Sequence, residues 1–216
     1  MKNVILYKKE LEIKKYIKKV IATIKKKKIS IGVSGGKTWI KIYNLFKKEK
    51  YFDKKKFTLY LTDERCCVNN RDSNYYNCRK NLVHNKKNFN EMYINSSIKK
   101  SISNYNRILP KTLDMVFVGL GKDGHVLSWF KNNNIWKLNK KIVYIKKNRK
   151  IIYSRLTLTK NYINKSKNIY LLINSIDKKK IFINYLSKKK NIPAHNLKIN
   201  KIFIEQKLFF LNKNNI

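Results

Sequence analysis

The chain has 216 residues, 52 of them Lys or Arg against 12 Asp or Glu, for a formal charge of +40. A hydrophobic content of 43 %, with 14 Tyr and 10 Phe, excludes a disordered chain, and the length predicts one domain, residues 1–216, with enough core to fold alone. All but six of the basic residues are Lys spread along the sequence; Lys, Asn, Ile, Tyr and Phe share A/T-rich codons, so base composition accounts for the charge without a specific nucleic-acid partner, whose sites favour clustered Arg.

Residues 3–6 read as a first strand, followed by a Lys-rich helix to about Lys26 with Leu11, Ile17, Val20, Ile21 and Ile24 on its apolar side. A strand over 29–33 ends at Ser34-Gly35-Gly36, and 38–46 has helical spacing. The strand over 57–61 ends at Thr62-Asp63-Glu64-Arg65, with a helix beginning near Ser73 and capped by Ser73 or Asp72. Strands over 91–95 and 113–118 enclose another helix. Residues 142–145, 156–158 and 169–174 read as β, 178–189 as a Lys-rich helix closed by Pro193, and 202–204 as a last short strand. Such alternation predicts an α/β fold, a three-layer Rossmann-like domain with a largely parallel central sheet. No apolar run reaches the 18 residues of a membrane span, and the N-terminus lacks the apolar core of a secretory signal. Cys66, Cys67 and Cys78 have no zinc-like spacing, and reduced thiols in a cytosol are their plain reading. The lysine tracts at 25–28, 178–180 and 188–190 are expected to be solvated helix ends.

Three loops at strand ends carry the candidate chemistry. Ser34-Gly35-Gly36-Lys37-Thr38 opens a helix and turns backbone N–H groups towards an anion, although it lacks the Walker A spacing. Asp63-Glu64-Arg65 follows a strand on the same sheet edge; alone, such a charged triplet reads as solvated. The run 113–118 breaks into Gly119-Leu120-Gly121-Lys122-Asp123-Gly124-His125, where three glycines let the backbone approach a ligand and deliver Asp123 and His125 together. Taken together, one anion-binding loop and two with ionisable groups predict a phosphate-handling enzyme. His84 and His195 lie outside these motifs, where surface or helix-end roles are expected.

In order, these residues resemble the superfamily of 6-phosphogluconolactonases and glucosamine-6-phosphate isomerases. The resemblance rests on Ser34, Gly35, Gly36 and Thr38; on Asp63-Glu64-Arg65 followed by Asp72-Ser73-Asn74; and on Gly119, Gly121, Asp123, Gly124, His125 and Ser128. Arg155-Leu156-Thr157-Leu158-Thr159, Ser175-Ile176-Asp177-Lys178 and Ile192-Pro193-Ala194 complete it. Trp39 stands where the family usually has Pro, Val126-Leu127 where it has Thr-Ala, and Ser175 where it has Gly.

The resemblance implies hydrolysis of 6-phospho-D-glucono-1,5-lactone by a cytoplasmic monomer that needs no metal or organic cofactor. It implies His125 as general base, Asp123 as its partner, and Arg65 or glycine-loop N–H groups as oxyanion donors. Ser34–Thr38, Arg155 and Lys178 would hold the phosphate, with Asp63 and Gly121 beside them. Two other readings stay open: a deaminase or isomerase on the same fold, although no carboxylate follows His125 in Val126-Leu127-Ser128-Trp129-Phe130, and a Lys-rich binding protein that has lost catalysis.

Overall fold

A computed structural model of the chain describes residues 3–67, 70–94, 97–149, 151–188 and 191–210. In chain order its elements are β1 (Val4–Tyr7), α1 (Glu10–Ala22), β2 (Ile29–Val33), α2 (Ile40–Lys48), β3 (Phe57–Leu61), β4 (Asp63–Arg65), α3 (Asn74–Leu82), β5 (Phe89–Asn90) and α4 (Ile98–Ile108). There follow β6 (Met115–Gly119), β7 (Ile142–Ile145), β8 (Arg155–Leu158), α5 (Lys160–Ile163), β9 (Ile169–Ile173), α6 (Lys179–Ser187), β10 (Lys201–Glu205) and α7 (Gln206–Phe210).

Seven strands form one sheet in the order β1-β10-β9-β6-β2-β3-β5, and every neighbouring pair is parallel. The inner strands are apolar because both faces are covered: all five residues of β9 and the first four of β6 are buried. Three further strands make a small antiparallel sheet in the order β4-β8-β7. The chain runs from β2 to β3 on one side and later returns to β6 on the other, so the order reverses between β2 and β6. Ligands of open α/β sheets bind at such a reversal, outside the carboxyl ends of the strands. Two of the three candidate loops, those after β2 and β6, leave from this point.

Several expectations are corrected. The first helix stops at Ala22, and Leu11 is exposed, so the buried stripe is Ile13, Ile17 and Ile21 with Lys14, whose ammonium pairs with Glu49. The helix after Gly36 starts with a 3₁₀ turn, Lys37–Trp39, before α2. Trp39 is fully buried, packs on Phe117 at 4.8 Å between ring centroids and donates from Nε1 to Val118 O at 2.8 Å. The strand expected over 91–95 lies earlier, at β5, where Phe89 packs on Tyr75 and Asn90 Nδ2 reaches Leu59 O; Asn95 falls outside the described residues. The tract 25–28 is not uniformly solvated, because Lys26 Nζ lies 2.6 Å from Oδ1 of the buried Asp114. Lys189 and Lys190 fall outside the described residues. Among the described residues, no helix is long and apolar enough to cross a membrane.

Candidate active site

The loop after β2 is built by inward-facing polar groups. Ser34 Oγ donates to Phe117 O at 2.9 Å and lies 3.0 Å from Thr62 Oγ1, so this hydroxyl pins the loop to the sheet and is not offered to a ligand. A Cβ on Gly35 would stand 2.4 Å from Asn74 Cα, and only glycine lets the loop lie against the start of α3. Thr38 Oγ1 accepts from Lys178 Nζ at 2.8 Å, and Thr38 O accepts from Asn174 Nδ2 at 2.8 Å. These two bonds tie the end of β9 to the first loop. Burial and the charge of Lys122 hold the Lys178 ammonium below its ordinary pKa, against the opposing pull of Asp177.

The charged triplet is a buried strand and not a solvated loop. Asp63 and Glu64 are 5 % and 2 % exposed. Asp63 Oδ2 accepts from Ser128 Oγ at 2.8 Å, and the Asp63 carbonyl accepts from Asn74 Nδ2 at 2.9 Å. Glu64 accepts four bonds: from the N–H of Arg65 (2.6 Å), Asn74 (2.7 Å) and Tyr75 (2.7 Å), and from Ser73 Oγ (3.1 Å). It thereby satisfies the exposed N–H groups at the start of α3, which Ser73 also caps by accepting from Tyr76 N. Burial pushes the Glu64 carboxyl up to about 7 against those four donors.

Arg65 and Arg155 stand directly opposite each other on β4 and β8. Like charges in that register repel. Arg65 Nη1 donates to the carbonyl of Asp72 at 2.7 Å. Arg155 Nε is buried with no hydrogen-bond partner among the described residues. Burial lowers the Arg155 pKa, and Arg65 adds to that while Asp63 and Glu64 oppose it. Each guanidinium presents a planar fork of the kind that pairs bidentately with carboxylate or phosphate oxygens.

The glycine loop after β6 aims the histidine. Gly121 N donates to His125 O at 2.8 Å and Gly124 N to Gly121 O at 3.0 Å. A Cβ on Gly121 would fall 2.2 Å from His125 Nδ1, and Gly124 has φ +85°. His125 Nδ1 lies 2.5 Å from Asp123 Oδ1, which also accepts from His125 N at 3.2 Å. Burial opposes ionisation of Asp123, but its bond to His125 outweighs this and holds the carboxyl at about 2. With Nδ1 committed to a carboxylate, Nε2 carries the available lone pair. Phe130 packs 5.1 Å from the imidazole centroid.

These loops enclose an inner chamber of about 320 Å³. Every predicted site residue lines it except Gly35, which faces an adjoining outer chamber of about 460 Å³, and Asp123, which backs His125. Arg65, Arg155, Lys37, Gly36 and Phe130 line both. Sequence reasoning missed the structural work of Glu64 and Asn74 and the lining residues Lys122, Phe130 and Tyr153. Of these, Glu64, Asn74 and Lys122 stand inside the motif segments, whereas Phe130 and Tyr153 lie in none. His84 and His195 stand elsewhere, with Nε2 beside Lys47 O (3.1 Å) and Tyr185 O (3.0 Å). Among the described residues, no three His, Cys, Asp or Glu side chains are grouped to hold a metal ion.

Comparison with known proteins agrees with this architecture. A probable 6-phosphogluconolactonase of Dictyostelium discoideum is 29 % identical over 208 residues, covering 87 % of this chain and 88 % of that protein. The crystal structure of 6-phosphogluconolactonase from Thermotoga maritima superposes with a TM-score of 0.79 at 21 % identity, covering 94 % of this chain and 97 % of that one. A monomeric glucosamine-6-phosphate deaminase shares the fold too, with a TM-score of 0.74 at 18 % identity, covering 97 % and 100 %. The family model described as glucosamine-6-phosphate isomerases/6-phosphogluconolactonase matches residues 9–205, and the chain belongs to that family.

Proposed function

We propose that this protein hydrolyses 6-phospho-D-glucono-1,5-lactone to 6-phosphogluconate, in the pentose phosphate pathway. The observation that carries the reading is His125 at the sheet's reversal point, with Nδ1 on Asp123 and two guanidinium groups lining the same chamber. The name shared by the similar proteins of Dictyostelium and Thermotoga supports the substrate. Nε2 takes the proton from a water as that water attacks the lactone carbonyl, and returns it to the departing ring oxygen. Asp123 holds the imidazole in the tautomer this requires and stabilises the imidazolium that forms. The tetrahedral oxyanion needs donors already in place. Gly121 and Gly124 donate their N–H groups within the loop, and we assign the oxyanion to Arg65, which lines the same chamber. Thr38, Lys178 and Arg155, with Gly36 and Lys37, hold the distant phosphate, and binding there positions the ring. Asp63, fixed by Ser128, shapes the wall between the two ends.

The deaminase reading is weaker because the segment after His125 turns inward without a carboxylate: Val126, Ser128 and Trp129 are fully buried, and Leu127 nearly so with φ +51°. The deciding experiment measures lactone hydrolysis above the spontaneous rate, with glucosamine 6-phosphate in parallel. Enzyme-dependent loss of the lactone without release of ammonia is expected; no acceleration over background overturns the proposal.

A further inference from the structure

Arg65 stands opposite a like charge, yet it is held at one station. Its Nη1 donates to the carbonyl of Asp72, at the end of the 3₁₀ turn Asn70–Asp72. The carboxylate of the same residue is in turn engaged by a residue of another connection that lines the same chamber. Tyr153, in the connection between β7 and β8, donates its hydroxyl to Asp72 Oδ2 at 2.9 Å. Tyr153 precedes Arg155 by two residues, and both side chains line the outer chamber with Arg65. The hydrogen-bonded path Tyr153 – Asp72 – Arg65 therefore joins two connections of the small sheet across the chamber and ends on a guanidinium that also lines the reaction chamber.

We propose that Tyr153 is a positioning residue: through Asp72 it fixes where the Arg65 guanidinium stands, and so sets how well Arg65 stabilises negative charge on the bound ligand. This rests on the reading of Arg65 as the oxyanion donor. The physical need for it is specific. Repulsion from Arg155 favours any rotamer that carries Arg65 out of the cleft, and one bond to a surface turn restrains it only as well as the turn is itself restrained. Asn77 Nδ2 holds the turn through Arg71 O at 3.3 Å, and Tyr153 adds the bond to Asp72 itself from another connection. A donor displaced by a fraction of an ångström from the developing oxyanion loses most of its worth in the transition state, while ground-state binding at the phosphate end is untouched.

The test is a double-mutant cycle of Tyr153→Phe and Arg65→Ala, read in lactone hydrolysis. Phe keeps the ring and removes only the hydroxyl. Tyr153→Phe is expected to lower kcat by about three- to tenfold, the worth of one hydrogen bond, with KM within twofold. In the Arg65→Ala background the same change is expected to do nothing further. Equal losses in both backgrounds mean that Tyr153 merely stabilises its loop, and the proposal falls; so does an unchanged kcat in the single variant. A second measurement does not depend on catalysis. The chain has only six arginines, so the Nε–H resonances of the intact protein are few, and that of Arg65 is assigned by its loss in Arg65→Ala. In Tyr153→Phe the Arg65 resonance is expected to shift and broaden while those of Arg79 and Arg107 stay. If the parent protein fails to hydrolyse the lactone, the functional reading fails, and this resonance alone decides the positioning role; an unmoved Arg65 signal overturns it.

Discussion

The two sheets supply different parts to one cleft. The seven-stranded parallel sheet contributes loops at the strands' carboxyl ends: Ser34–Thr38 and Gly119–His125, shaped by close approach at their glycines, and the turn before Lys178, tied to the first by the Lys178–Thr38 bond. The three-stranded antiparallel sheet contributes Arg65 and Arg155 directly from strand positions, where the ladder fixes their backbone. A loop suits a base that must meet water and the leaving oxygen in turn; a strand suits cations that must stay close in spite of repulsion. Loss of His125 is thus expected to damage the chemistry with little change in binding, and loss of Arg155 to damage anion recognition.

The largest effect tests the parallel sheet's share. His125→Ala is expected to lower kcat by about 10²–10⁴-fold, the usual worth of a general base, with KM nearly unchanged, after subtraction of spontaneous hydrolysis. Activity within a few-fold of the parent across pH 6–8 would assign the base elsewhere. Next in size, Arg155→Ala is expected to raise KM by about 10- to 100-fold, the range for hydrogen bonds to charged groups, with a smaller change in kcat. Steady-state kinetics with phosphorylated and unphosphorylated gluconolactone separates the two sheets, because only the phosphorylated substrate should respond.

A third test concerns Glu64, which ties the small sheet to α3. Its folded pKa is raised to about 7 from an ordinary 4.5, so the native state holds the extra proton. Its contribution to stability is full below pH 4.5 and is lost as pH rises through 7. Urea midpoints of the parent measured from pH 4.5 to 8 should show this decline, and Glu64→Gln should flatten it while lowering stability throughout, since an amide cannot accept from both Tyr75 N and Ser73 Oγ at Oε2. A variant that keeps the parent's slope would show that Glu64 does not titrate there. The smallest effect is expected from the surface. Removing Lys25, Lys27, Lys179, Lys180 and Lys188, while sparing Lys26 and Lys178, should leave kcat intact and weaken only the salt dependence of kcat/KM; a clear fall in kcat at saturation would give those lysines a catalytic part.

How much could be read from sequence divides along the same line as the sheets. The strands 29–33 and 57–61 of the parallel sheet have the bounds that their apolar runs predict, because burial on both faces writes itself into composition. The glycine loops were equally readable, since a sharp turn at a strand end has few other sequences. The buried charges of β4 were not. Glu64 is interior because three donors from a helix start, Ser73 Oγ and the N–H groups of Asn74 and Tyr75, close on it beside the N–H of Arg65, and that helix lies about ten residues on. Ser34 offers the converse case: its hydroxyl looked ligand-facing, but partners 28 and 83 residues away, Thr62 and Phe117, turn it inward. Local pattern reports which residues prefer water; it does not report which long-range partner replaces water.

The facing of Arg65 and Arg155 has a consequence for handling the protein. Their mutual repulsion opposes folding, and an anion bridging them removes that opposition, so buffer composition becomes part of the folding equilibrium. An anion at a hundred times its Kd adds about 2.7 kcal/mol by mass action. A thermal melt in phosphate and one in a buffer without polyvalent anions would then describe two differently stable proteins. The gap between them, titrated with phosphate, is a calorimeter for the cleft that needs no substrate.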